Sequence, residues 1–150
     1  MEKTKEILNR MADYNREANL KFINVILSHN ISDEYILKNF SHLLTAQNIW
    51  MGRINNFKST YALWEIHPNE QLKNINDFNA EATFDVIKEI SLDKVIAYTN
   101  TLGNSYENNV HEILLHIVNH STYHRAQVAA KMRQIDVIPP NSDLIAYYRK

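Results

Sequence analysis

Cysteine is absent from this chain of 150 residues. That excludes disulfides, cysteine nucleophiles and cysteine-ligated zinc. Glycine occurs twice and proline three times, so turns are few and elements long, which favours helices. Neither sign of charge dominates. The 16 basic and 17 acidic side chains give a formal net charge of -1, and no basic patch offers the footprint of a nucleic-acid binder. No apolar run approaches the roughly 18 residues of a membrane span. The charged, amphipathic opening MEKTKEILNRMADYN does not have the pattern of a signal peptide. These absences suggest a cytoplasmic protein with no membrane or nucleic-acid partner. Hydrophobic residues make up 45% of the chain, enough to build one domain over residues 1–150 around a real core.

The apolar periodicity is that of an all-α bundle of four helices. Over 3–29, Leu8, Met11, Ala18, Phe22 and Val25 recur at three- and four-residue steps and form one stripe. Ser32 is placed to cap a second helix, with Asp33 and Glu34 in its first turn and Ile36, Phe40, Leu43, Gln47, Trp50, Ile54 and Phe57 along its stripe. The link between these two helices is so short that they are expected to pack antiparallel. Residues 58–78 lose the period and carry Pro68 and several asparagines, which predicts a long crossover between helices 2 and 3. A third helix is expected over about 79–91, with Phe84, Ile87 and Ile90 inward. The stretch VIAYTNTLGNSYENN, 95–109, mixes β-favouring residues with a Gly-Asn turn signal and suggests a small hairpin or an irregular excursion. The fourth helix is expected over 109–134. The tail after Pro139 and Pro140 is expected to fold back through Leu144, Ile145 and Tyr147.

The fourth helix holds His111, His116, His120 and His124, four of the seven histidines, so it is the place to look for a metal site. Residues four apart differ by about 40° around a helix and about 6 Å along it. Neighbours in the row 116–120–124 can therefore share an ion, whereas 116 and 124, about 12 Å apart, cannot easily do so. The apolar stripe Val110, Ile113, Leu114, Ile117, Val128, Met132 favours one pair. Measured from Ile117, His124 lies roughly 20° away, His120 roughly 60° and His116 roughly 100°. His120 and His124 point inward. An imidazole among apolar side chains needs partners for both nitrogens, and a metal on one with an acceptor on the other would satisfy it. His111-Glu112 resembles the start of a zinc-protease HExxH helix, but Leu115 stands where the second histidine is required.

The strings HIVNHSTYHRAQVAAKMRQ, YTNTLGNSY, HLLTAQNIWMGRI and PPNSDLIAYYR, in this order-preserving set across most of the chain, resemble the DinB family of DinB/YfiT-like metalloenzymes. The resemblance implies a four-helix bundle of unusual connectivity, often a homodimer. It also implies a divalent ion held by three histidines. One lies on the second helix eight residues ahead of a tryptophan, which matches His42 and Trp50. The other two match the NHxxxH step at His120 and His124, the pair that the helical angle favours. Where the family usually has glycine after the arginine, this chain has Ala126. Read from the residues alone, His42 is a half-exposed surface histidine.

Zinc or nickel, and also iron or manganese, suit an imidazole-rich site. The family resemblance favours thiol transfer. With no cysteine in the chain, a low-molecular-weight thiol would come from outside and, activated by the ion, attack a small-molecule electrophile. The alternatives are a metal-dependent hydrolase and a metal- or ligand-binding protein of the stress response without turnover. Glu112 and His116 are candidates for a proton relay or for support of the ligands. His29 closes the first helix, where a cation suits the dipole; His67 reads as solvated beside Pro68, in a loop that could lid the pocket; His111 reads as surface. Trp50, Trp64, Tyr106 and Tyr123 read as core or rim, and Arg125 as half of an ion pair or a subunit contact.

Overall fold

The structure is a computed structural model and describes residues 2–149. Four long helices, α1 (Glu2–Ser28), α2 (Glu34–Asn55), α3 (Leu72–Glu89) and α4 (Val110–Gln134), form the bundle. An antiparallel hairpin of β1 (Val95–Thr99) and β2 (Ser105–Asn109) leads directly into α4, and a short α5 (Leu144–Tyr148) follows. No described helix is long and apolar enough to cross a membrane.

The bundle is all-α as expected, but the short link does not make neighbours of α1 and α2. α1 packs on α3 and α4, and α2 packs on α3 and α4. The first two helices thus lie across the diagonal, meeting in the core through the stacked rings of Phe22 and Phe40. Five residues, 29–33, join them. Extended, five residues reach up to roughly 16 Å, enough to cross the diagonal of a bundle whose neighbouring axes stand about 8–10 Å apart. Asn30, with φ 46, turns the chain, and buried Ile31 plugs the end of the core.

Two further boundaries differ from expectation. Asp33, not Ser32, caps α2: its carboxylate accepts from the Ile36 N–H at 3.0 Å. α3 begins at Leu72, after a 3-10 turn at Asn69–Gln71, so the crossover is shorter than 58–78. Asn76, which looks like a loop residue in the sequence, and Asn79, at the start of the expected helix, are buried on the inner face of α3. Their amides find partners in neighbouring helices, and this offsets the desolvation that otherwise keeps asparagine out of cores. In the tail, Leu144 and Tyr147 pack against Tyr14, Ala18 and Val118, whereas Ile145 stays exposed.

The core has two apolar ends and a polar waist. One end joins Leu8 and Ala12 of α1 to Met51, Val86 and Ile113. The other joins Phe22 and Ile26 to Phe40, Leu72 and Val128. Between them every long helix contributes buried polar groups: Asn15 and Asn19, Gln47 and Asn48, Asn76 and Asn79, and Arg125.

Candidate metal centre

His42 of α2 meets His120 and His124 of α4 on the side of this waist. One ring nitrogen from each lies within 4.8 Å of the others. Ring centroids stand 5.1 Å apart for 42–120, 4.7 Å for 42–124 and 4.5 Å for 120–124. His42 and His124 are buried and His120 is half-buried. His42, which the sequence alone would leave half-exposed, is covered because α4 and the crossover loop both close over its edge of α2.

The second nitrogens decide what these rings can do. His42 Nδ1 lies 2.9 Å from the Leu63 carbonyl oxygen. A carbonyl only accepts, so Nδ1 carries the proton and Nε2 keeps its lone pair. His124 Nδ1 lies 3.2 Å from Asn39 Oδ1. The orientation of that amide is set by its own Nδ2, which donates to the Tyr35 carbonyl at 2.9 Å. His124 is thus also protonated at Nδ1 and free at Nε2. Ligand histidines in metal sites show this same arrangement, a carbonyl or carboxylate holding the far nitrogen.

Electrostatics keep all three neutral. Burial lowers His120 most, with the nearby His124, His42 and His116 adding to it, so that its pKa falls to about 3. Burial lowers His42 against the pull of the Leu63 carbonyl, and lowers His124 with a further contribution from His42. Neutral imidazole is the form that ligates. Nitrogens on one tetrahedral ion stand about 3.3 Å apart, so the donor type, the protonation and the clustering all suit a divalent cation.

Aromatic side chains surround the cluster. Trp64, in the crossover, stacks on His42 with centroids 3.6 Å apart and planes 6° from parallel. Tyr123 meets His124 edge-on at 5.2 Å. His116 lies one turn from His120, at 5.5 Å, and touches Trp50. It is outside the triad, as the helical angle implies.

A family model described as the DinB family matches residues 2–150. The chain belongs to the DinB family. No curated protein matches it. In this DinB protein several side chains sit otherwise than the sequence suggests. Glu112, a candidate relay in the sequence, serves the helix cap. Its carboxylate accepts from the Asn109 N–H and from Asn108 Nδ2, each at 3.0 Å, as part of the α4 N-terminal cap, and these bonds hold it below the usual carboxylate range. His67 is buried rather than solvated, with Nε2 2.7 Å from Thr45 Oγ1 and the backbone N–H donating to Ser41 Oγ. His111 ties α4 to the turn between α3 and β1 through Nδ1 and the Leu92 carbonyl, and His29 lies exposed just past the end of α1. Arg125 is buried among neutral partners: Nη1 donates to Asn15 Oδ1 and Asn19 Oδ1, both at 2.7 Å. The support from Asn39 and Leu63 went unseen in the sequence. A polar residue between Ile36 and Phe40 on the inner stripe was the one available signal for Asn39. A backbone carbonyl leaves no signal at all.

Proposed function

We propose that His42, His120 and His124 hold a divalent ion, zinc or nickel by preference, and that the protein transfers a small-molecule thiol to an electrophile. The observation that carries the reading is the pair of histidines whose Nδ1 atoms are held by carbonyl oxygens, turning two Nε2 lone pairs toward a third neutral imidazole. Three neutral ligands leave the ion its full charge and room for a further ligand, the condition under which a bound thiol loses its proton. The protein residues orient: Leu63 and Asn39 fix two ligand rings, and Trp64 covers one of them. The sulfur forms a bond to the electrophilic carbon, the thiol proton passes to water, and any leaving group departs with the displaced electron pair.

The same geometry favours thiol over water. Activating water is helped by a general base near the ion, and Glu112, the candidate on the histidine face, is committed to the helix cap. The test is turnover of an activated aryl halide by zinc- or nickel-loaded protein, with and without 2-mercaptoethanol. Thiol-dependent consumption is the expected outcome. Ester or amide hydrolysis without thiol would move the reading to a hydrolase. Bound metal with neither activity would leave a binding protein of the stress-response kind.

A further inference from the structure

Arg53 lies on the same face of α2 as His42. Eleven residues bring a helix to within about 20° of its starting azimuth, and about 16 Å further along. The side chain folds back toward the histidines. Its guanidinium carbon sits 4.3 Å above the Trp50 ring and 4.7 Å from the Tyr98 ring, which themselves meet edge-on at 4.8 Å. Trp50 in turn contacts His116, the neighbour of His120. A continuous row of rings therefore leads from the triad to a clipped cation. Trp50 stands eight residues beyond His42, so the cation lies on the order of 10 Å from the triad along the helix.

This cation has no acidic partner among the described residues. Its one protein hydrogen bond runs from Nη2 to the Thr99 carbonyl at 3.4 Å. The ion pairs among the described residues lie elsewhere. Two aromatic faces fix the guanidinium plane, so little side-chain freedom is lost when an anion docks on its open edge.

We propose that Arg53 is the anchor for a carboxylate on the substrate, and that this protein's substrate class is a small molecule with a carboxylate about 10 Å from its reacting atom. The inference rests on the thiol-transfer reading for the identity of the reacting end. Arg53 contributes through charge-assisted, bidentate hydrogen bonds to the carboxylate oxygens, while the apolar spacer lies along Trp50 and His116.

The test is calorimetric titration of zinc-loaded wild type and Arg53→Gln with three probes of matched length: 8-mercaptooctanoate, 8-mercapto-1-octanol and octanoate. Wild type is expected to prefer the mercaptocarboxylate to the mercaptoalcohol by about tenfold or more, the worth of one charge-assisted bond pair. Arg53→Gln is expected to bind the alcohol as before and to lose that preference. Octanoate carries the carboxylate without the thiol. If it binds as tightly as 8-mercaptooctanoate in an Arg53-dependent way while 8-mercapto-1-octanol does not bind, the anchor stands and the thiol reading falls. No preference in wild type, or a preference that survives in Arg53→Gln, overturns the anchor. Equal zinc content and equal unfolding midpoints in the two proteins confirm that the comparison is of folded, loaded chains.

Discussion

At the scale of single residues, the triad makes predictions that separate it from its neighbours. His120→Ala and His124→Ala are each expected to lose stoichiometric zinc, measured by elemental analysis after loading and desalting. His116→Ala is expected to keep most of it, because its ring lies outside the cluster; complete loss there would reassign the ligands. Asn39→Leu leaves every ligand in place but frees His124 Nδ1, and zinc affinity is expected to fall about 10–100-fold. A competition titration with a chelating dye reads this, and unchanged affinity would show that Asn39 supports nothing. His67 gives a pH dependence. Burial keeps its folded pKa below the ordinary 6.5, so the unfolded chain takes up the proton first as pH falls. Stability is therefore lost below about pH 6.5. His42, His116, His120 and His124 shift in the same direction, His120 to about 3, so the loss continues well into the acid range. Urea midpoints of metal-free protein are expected to drop between about pH 7 and pH 5, and to drop less for His67→Gln. A variant as pH-sensitive as wild type would remove His67 from the account.

At the scale of elements, the end of α2 illustrates how a local rule is broken for a packing reason. Gly52 sits inside the helix, where glycine is unfavourable by about 1 kcal/mol relative to alanine. Asn56 then takes φ 64, and the N–H groups of Asn56 and Phe57 both donate to the Gly52 carbonyl, the latter at 2.9 Å. That turn presses the Phe57 carbonyl onto Gly52, where a Cβ would collide with it. Gly52→Ala is therefore expected to destabilise by about 1–3 kcal/mol despite its better propensity. Thermal melts check this, and a raised melting temperature would show that the crossover can move aside. The helix starts were partly readable. The stripe predicts α4 over 109–134, against Val110–Gln134 observed, whereas the expected start of α3 falls seven residues late because Asn74 and Asn76 look like loop residues.

At the scale of the whole molecule, Arg125 joins the bundle through neutral groups. It bonds to Asn15 and Asn19 of α1; Asn15 Nδ2 donates to Gln47 of α2 and Asn19 Nδ2 to Asn76 of α3. One buried guanidinium thus links all four helices across the waist. Removing it strands the buried amide oxygens of Asn15 and Asn19, so Arg125→Ala is expected to be destabilised by about 3–5 kcal/mol. Denaturant unfolding checks this, and a change under about 1 kcal/mol would mean that water replaces the side chain without loss. The diagonal placement of α1 and α2 belongs to this scale too: it lets α4 lie beside α2, bringing His42 against His120 and His124.

The sequence by itself determined the helical class and the inward direction of His120 and His124, because each depends on local period or the angle around one helix; over 95–109 it left a hairpin and an irregular excursion both open, and strand pairing decided for the hairpin. It could not show that His42 is buried, that Glu112 is committed to a cap, that Arg125 is held by amides, or that Arg53 is clipped beside the histidine row. Those are contacts between residues far apart in the chain, and periodicity within one element carries no information about what stands opposite it. Only the tertiary structure decided them, by choosing which helix lies next to which.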